Sequence, residues 1–142
     1  MMRRIVCTLI SICFLGLFIS GQEQEGRITV EVSGIKKIEG QMIISLYDKP
    51  DGFPNTQDTR ETVYVKVESK TVTHVFSHLP PGDYALAVIH DKNNNKKLDT
   101  YFFGLPKEKY GFSRNAKAFM KAPSFKKAKF TLRETYLAKI KI

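Results

Sequence analysis

The sequence predicts an all-β domain, an antiparallel two-sheet sandwich of seven or eight short strands. Apolar and polar side chains alternate along several short segments, which is the period of a half-buried strand. Turn-forming residues such as Gly34, Gly40 and the run 80–82 (PPG) separate these segments at regular intervals. No long segment has helical periodicity. A closed barrel is the alternative arrangement of the same strands.

The first strands are predicted from apolar residues at every second position, with the polar residues between them facing water. The three apolar sets are Ile28, Val30 and Val32, then Met42, Ile44 and Leu46, then Val63, Val65 and Val67. Segment 71–79 (TVTHVFSHL) is a further strand whose apolar face is ambiguous.

The later strands include one that differs from the rest. Segment 82–90 (GDYALAVIH) is apolar at both odd and even positions, which predicts a central strand covered on both faces. Segments 128–132 and 136–142 alternate again, with 133–135 as the turn between them. Single helical turns are expected at 107–110 and 124–127.

Residues 1–21 have the pattern of a secretory signal peptide. The basic start MMRR precedes an apolar run over 5–19, and small residues follow it. That run is shorter than the ~20 residues a membrane-spanning helix needs. We therefore expect export to the periplasm or the cell exterior, and a single mature domain, residues 22–142, with no transmembrane segment. Both cysteines, Cys7 and Cys13, lie in the leader, so the mature chain has no thiol for a disulfide or a metal.

Charge is distributed unevenly along the chain. Residues 22–104 hold 10 basic and 12 acidic side chains, a net charge of −2, whereas residues 105–142 hold 11 basic and 2 acidic, a net charge of +9. Many C-terminal lysines fall at alternate positions of predicted strands, namely Lys117, Lys121, Lys127, Lys129, Lys139 and Lys141. This pattern is typical either of the solvated face of a sheet or of an anion-binding surface. Export argues against nucleic acid and favours an anionic envelope polymer or lipid headgroups.

Oxygen-bearing side chains occur at alternate positions of HDKNNNKKLD, residues 90–99. They are Asp91, Asn93, Asn95 and Asp99. The spacing matches positions 1, 3, 5 and 9 of a calcium loop. Lys96 stands where an EF-hand requires glycine, and Phe102 stands where it requires a bidentate glutamate, so the segment is not an EF-hand. Two interpretations stay open: a weak calcium site completed by backbone carbonyls, or a metal-free turn in which Asn and Asp bond their own backbone.

The stretch FSHLPPGDYALAVIHDKNNNKKLDTYFFGLPKEKYGFSRNA, residues 76–116, resembles a bacterial exported family, domain-of-unknown-function family 2141. Family members have approximately LPPGxYAxxVxHDxNxNGxLDxNxxGxPxExYGFSNN. The chain departs from it at Lys96, where glycine is usual, and at Arg114, where a second asparagine is usual. The resemblance implies an immunoglobulin-like or transthyretin-like sandwich and no established activity. The corner at 79–88 is also similar to carboxypeptidase-regulatory and collagen-adhesin B-type modules, which are generally accessory or structural.

The long connection 90–115 is the region most expected to contact a ligand, because loops longer than ~12–15 residues in a compact domain are usually functional. Five residues of this connection are the candidate contact residues: His90, Tyr101, Tyr110, Arg114 and Asn115. We expect Phe103 and Phe112 to fold back and cap one end of the sandwich.

Catalysis is not indicated by the sequence. The residues considered for it are His74, His78, His90, Asp91, Asp99, Glu108 and Ser113. They do not assemble into a nucleophile, a base and an orienting group. His74 and His78 are expected to share one face of their strand, but two histidines leave a zinc site short of ligands.

We therefore expect a binding or accessory module and not an enzyme, with hydrolase activity as a remote alternative. Its expected partner is a cell-envelope polysaccharide, another anionic polymer or an envelope protein. A structural envelope protein that binds anionic polymer through its basic C-terminal face is the main alternative. Calcium is the only cofactor the pattern suggests.

Overall fold

A computed structural model describes residues 25–142 of the chain and confirms the all-β class. The strands are β1 (Gly26–Ser33), β2 (Gln41–Tyr47), β3 (Glu61–Lys66), β4 (Val72–Leu79), β5 (Gly82–Asp91), β6 (Tyr110–Phe112), β7 (Phe130–Leu132) and β8 (Thr135–Lys141). A 3-10 turn covers Ser113–Asn115, and one α-helical turn, α1, covers Phe125–Ala128. The predicted signal peptide lies outside the described residues. Within the described part, no helix has the length and apolar character to cross a membrane.

The eight strands form two sheets. One has the order β4-β1-β8, and the other has the order β3-β2-β5-β6, with β7 paired to another part of β5. Every pairing is antiparallel except that of β1 with β8, which is parallel. This pair departs from the fully antiparallel arrangement that we predicted. The chain passes through the whole second sheet between the two strands, and such a crossover permits parallel pairing.

The main apolar core lies between the two sheets. Ile28, Val30 and Val32 of β1 are fully buried there, as the alternation predicts. They are joined by Met42, Ile44 and Leu46 of β2, while Val63 and Val65 of β3 pack against the rim of the core. On β8, Ala138 and Ile140 complete it from the other side of β1. The alternation therefore identified the inward face of each of these strands.

A second apolar cluster covers the outer face of the larger sheet. The ring of Phe53 packs edge-on against Tyr47, Phe112 and Phe125, with centroid separations of 4.9, 5.9 and 5.8 Å. Ala85 of β5 lies in the same cluster. These contacts bury β5 on both faces, as predicted, and they confirm that Phe112 folds back. They also bury both faces of β2, because Tyr47 packs under the loop that contains Phe53.

The two expected helical turns and the expected facing of His74 and His78 agree only in part with the structure. The helical turn expected at 124–127 is present as α1, whereas the one expected at 107–110 is absent because Tyr110 begins β6. The prediction that His74 and His78 share a face is wrong. Between the pairs Ile28–Phe76 and Gly26–Leu79, one residue of β1 opposes two of β4, so His78 lies in a bulge, has a φ of +59° and does not continue the alternation.

Candidate functional site

The connection between β5 and β6 consists of two different parts. We call residues 91–99 the acidic turn and residues 101–105 the aromatic tip. An isolated bridge between Thr100 and Pro106 closes the base of the tip. Within the tip, the Tyr101 N–H donates to the Leu105 carbonyl at 2.7 Å, and the Gly104 N–H donates to the Tyr101 carbonyl at 2.8 Å. The tip is therefore a compact turn of its own and not an extension of the acidic turn.

Asp91 is the anchor of the acidic turn. It is the last residue of β5, and its side chain is completely buried. Its carboxylate accepts hydrogen bonds from the Gln41 side-chain amide at 2.7 Å, the Asn95 N–H at 3.1 Å and the Lys96 N–H at 2.8 Å. A buried carboxylate with several N–H donors is stable because the donors replace the water it has lost. Asp91 thus fastens the turn to β2.

The other three predicted calcium ligands do lie beside one another. The side-chain amides of Asn93 and Asn95 donate to the two carboxylate oxygens of Asp99, at 2.7 and 2.8 Å. The Asn93 side-chain oxygen accepts from the Asn95 N–H at 3.2 Å, and the Asn95 oxygen accepts from the Lys97 N–H at 2.9 Å. These are the bonds by which asparagine stabilises a turn without metal.

This geometry supports the metal-free interpretation of the acidic turn. Calcium takes six to eight oxygen ligands, and the oxygens of Asp91, Asn93, Asn95 and Asp99 already accept N–H donors. In the described part of the chain, no group of three or more His, Cys, Asp or Glu side chains is placed to hold a metal ion, but a site made of two aspartates and two asparagines would not form such a group. Calcium binding stays a prediction, since an oxygen with two lone pairs can accept an N–H group and still contact a metal ion.

Glu108 has a role that the sequence did not reveal, since we considered it only as a catalytic candidate. Its side chain is buried, and its two oxygens accept from the Lys92 N–H at 2.9 Å and the Asp99 N–H at 3.1 Å. It therefore ties the beginning of the acidic turn to its end. An acidic residue between Lys107 and Lys109 was the available signal.

His90 is buried and is not accessible from the solvent. The residue is only 1% exposed, and its ring Nε2 lies 2.9 Å from the Glu39 carbonyl oxygen. Its backbone N–H donates to the Lys109 carbonyl. Gly40, with a φ of +68°, packs so closely here that a Cβ would collide with the Asp91 carbonyl. We exclude His90 from the proposed contact surface for this reason.

The other histidines lie apart from His90. His74 is partly buried with its ring 4.7 Å from that of Phe76, and burial lowers the pKa of His74. His78 is exposed and paired with Glu25.

Ser113 and Asn115 join separate parts of the fold. The buried Ser113 hydroxyl donates to the Ala128 carbonyl at 2.6 Å and accepts from the Leu86 N–H at 2.9 Å. The Asn115 side chain accepts from the Lys141 N–H at 2.9 Å and donates to the Lys139 carbonyl at 3.3 Å. It therefore bonds the edge of β8 as a neighbouring strand would, and it connects the two sheets. The predicted contact residue Asn115 has a structural role, while Arg114 beside it is exposed.

An open groove of about 880 Å³ lies between the aromatic tip, β6 and the end of β8. Tyr101 and Tyr110, two of the predicted contact residues, line it. The Lys107 ammonium stands 5.2 Å from the centre of the Tyr101 ring. Lysines also line the groove at 109, 117 and 141. Among the described residues that line the groove, Glu108 alone has an acidic side chain, and its oxygens bond the acidic turn, so four lysines face one carboxylate.

Comparison with known protein families identifies a match that covers most of the described residues. The model of a family described as "Uncharacterized protein conserved in bacteria (DUF2141)" matches residues 30–139. This range contains the acidic turn, the aromatic tip and most of the groove. No curated protein and no solved structure matches the chain.

Proposed function

The chain belongs to the DUF2141 family of proteins conserved in bacteria, and we propose that it is an exported binding module for an anionic polymer of the cell envelope. The observation that carries this proposal is the lysine-lined groove beside the aromatic tip. The proposed contact residues are Tyr101, Tyr110 and the lysines around them.

The charge of the groove supports an anionic ligand. Lys107, Lys109 and Lys117 are exposed and line one concave surface together with Lys141. Clefts lined by one sign of charge concentrate counter-ions and speed their association. The carboxylate of Glu108 offsets only part of this field, because four lysines line the groove beside it. An acidic chain such as a polysaccharide with carboxylate or phosphate groups fits this distribution.

The tyrosines and the shape of the groove support a polymer. Tyr101 is more than half exposed, and Tyr110 is half-buried against Phe112, with ring centroids 5.8 Å apart. Tyrosine rings offer a rigid apolar face and a hydroxyl, which suit a sugar ring or an extended peptide. Sites for small molecules bury most of their ligand. An open groove instead leaves part of its ligand in solvent, which suits a chain that extends beyond the site.

A binding role accords better with the positions of the histidines than a catalytic role does. His90 is buried against a backbone carbonyl, His78 pairs with Glu25, and His74 packs on Phe76. General acid–base catalysis needs such a group within reach of a substrate. None of the three lines the groove.

The experiment is co-sedimentation of residues 22–142 with purified peptidoglycan, whose acidic groups supply the charge. The variant Lys107→Glu/Lys117→Glu is compared with Lys66→Glu/Lys70→Glu, which makes the same change of net charge away from the groove. We expect the groove variant to bind roughly tenfold more weakly, the control to change less than about twofold, and high salt to weaken wild-type binding. Equal losses in the two variants, or no wild-type binding, would overturn the proposal.

The basic C-terminal face is the alternative contact surface, and Lys126 and Lys127 of α1 are exposed there. Lys129 beside them is engaged, because its ammonium pairs with Asp83. The variant Lys126→Glu/Lys127→Glu separates the two surfaces in the same assay. A loss confined to this variant would move the contact from the groove to α1.

A further inference from the structure

Two short segments expose large apolar side chains to solvent. In the aromatic tip, Phe102 is 98% exposed and Phe103 is 87% exposed. In the second segment, Phe119 is 82% exposed and Met120 is 98% exposed. Single exposed apolar residues are ordinary on protein surfaces, but a concentration of them indicates an interaction site. The prediction that Phe103 folds back onto the sandwich is wrong, because the tip turns outward.

Both segments border the same groove. Tyr101 and Leu105, at the two ends of the aromatic tip, line it, and so does Ala118, which precedes Phe119. The apolar side chains therefore stand at the rim of a basic surface. They belong to one contact region and not to two unrelated ones.

Local bonds hold these apolar side chains away from the core. The tip is closed by the Thr100–Pro106 bridge, and the second segment is a tight turn closed by a bridge between Phe119 and Lys121. Met120 has a φ of +59° at its apex. The Phe102 and Phe103 rings pack edge-on with centroids 5.4 Å apart, so they form one apolar knob. In both segments, therefore, a turn of the backbone holds the apolar side chains in the solvent.

Exposed lysines accompany both segments. Lys107 and Lys109 follow the aromatic tip, while Lys117 and Lys121 flank Phe119 and Met120. A second copy of this chain is a poor match for such a face, because lysines would meet lysines and like charges in contact are unfavourable. A partner with an anionic surface over an apolar interior would match both the lysines and the exposed apolar side chains.

We propose that residues 101–105 and 118–121 dock on an anionic lipid bilayer. Phe102, Phe103, Phe119 and Met120 enter the boundary between headgroups and acyl chains, and the lysines beside them contact the anionic headgroups. Aromatic and apolar groups with flanking basic residues are the composition of interfacial membrane anchors. The inference rests on the exposed apolar side chains and goes beyond the proposed function, which rests on the groove.

The first experiment is co-sedimentation of residues 22–142 with vesicles. This part of the chain contains both sheets and both apolar clusters, and it omits the apolar leader, which would bind lipid by itself. The vesicles are phosphatidylcholine alone, or equal parts of phosphatidylcholine and phosphatidylglycerol. We expect binding to the anionic vesicles and little to the neutral ones, since basic residues and an anionic surface attract each other.

The decisive variant is Phe102→Ser/Phe103→Ser. Its matched control, Val75→Ser/Leu137→Ser, removes two exposed apolar side chains that flank Thr29 on the smaller sheet. We expect the tip variant to bind anionic vesicles at least roughly tenfold more weakly and the control to bind within about twofold of wild type, because the tip side chains leave water on binding and the side chains changed in the control do not. Equal binding by the tip variant and wild type would overturn the proposal.

A fluorescent reporter tests insertion directly. The chain contains no tryptophan, so Phe102→Trp provides a single probe at the tip. Its emission should shift to the blue and be quenched by brominated lipids when anionic vesicles are added. An unchanged emission spectrum with bound protein would show contact without insertion and overturn the proposal.

Two further measurements distinguish lipid docking from polymer binding in the groove and from self-association. The tip variant should keep its binding to peptidoglycan, so the lipid contact and the polymer contact can fail independently. Sedimentation velocity without vesicles tests a second copy as the occupant. A wild-type dimer that Phe102→Ser/Phe103→Ser converts to a monomer would overturn the lipid proposal in favour of self-association.

Discussion

The acidic turn and the aromatic tip are neighbours in the chain, yet the turn buries a charged side chain while the tip exposes apolar ones. In the turn, Asp91 is completely buried and accepts three N–H donors. In the tip, Phe102 and Phe103 face solvent almost completely. Charged residues are usually exposed and phenylalanines usually buried. The comparison teaches that the polar groups of this connection build the scaffold, and that its apolar groups are the ones available for contact.

The largest expected effect is on the anchor of the turn. Asp91→Ala leaves the Gln41 amide and the N–H groups of Asn95 and Lys96 without their acceptor. We expect a loss of about 3 kcal/mol in the free energy of unfolding, because three hydrogen bonds to one buried, charged carboxylate are lost together. Urea unfolding followed by circular dichroism measures it. Asp91→Asn keeps an acceptor and should lose less. A loss below about 1 kcal/mol for Asp91→Ala would contradict the structural role of the turn.

A smaller effect of opposite sign is expected at Lys96. Its φ of +62° lies in the left-handed region, which glycine adopts without strain. Lys96→Gly relieves this strain, but it adds entropy to the unfolded chain and removes the contact of the lysine with the Tyr64 ring. We expect the net result to be a rise of about 0.5 kcal/mol in the free energy of unfolding. Thermal unfolding checks the direction. Lys97→Gly, at a position without positive φ, should not be stabilising, and a gain there would argue against strain as the cause.

Calcium distinguishes the two interpretations of the acidic turn. A site with a dissociation constant of about 1 mM would raise the free energy of unfolding by about 1.4 kcal/mol at about 10 mM calcium. The existing N–H bonds to the oxygens lead us to expect no such change. Melting temperatures with calcium and with chelator measure the difference. A rise that chelator reverses and Asp91→Asn removes would establish the calcium site instead.

The smallest expected effect on stability is at the tip. Phe102→Ser/Phe103→Ser should change the free energy of unfolding by no more than about 0.5 kcal/mol, because neither ring packs in a core. Phe112→Ser is the matched comparison, since that ring is buried among Phe53 and Tyr110, and it should cost about 3 kcal/mol. Chemical unfolding of both variants gives the contrast. Equal destabilisation would mean that the tip packs against the domain.

Expectations that depend on neighbouring residues succeeded. The alternation of Ile28, Val30 and Val32 identified the inward face of β1, and the continuous apolar run of β5 identified a strand covered on both sides. The Asn side chains also make the local bonds to the turn backbone that their chemistry predicts, while calcium binding at this turn stays a prediction. Strand period and turn bonds are set within a few residues, so a single sequence contains them.

Only the tertiary structure decided the features that depend on distant partners. Three such features are the parallel pairing of β1 with β8, the bulge at His78 and the outward turn of Phe103, and the alternation of apolar and polar residues predicts none of them. Glu108 and Ser113 acquire their roles from backbone groups at Lys92 and Leu86, far back along the chain. A sequence displays which groups need hydrogen bonds or burial. Which surface supplies them depends on how the two sheets stack, since burial is a property of the packed chain and not of any one segment.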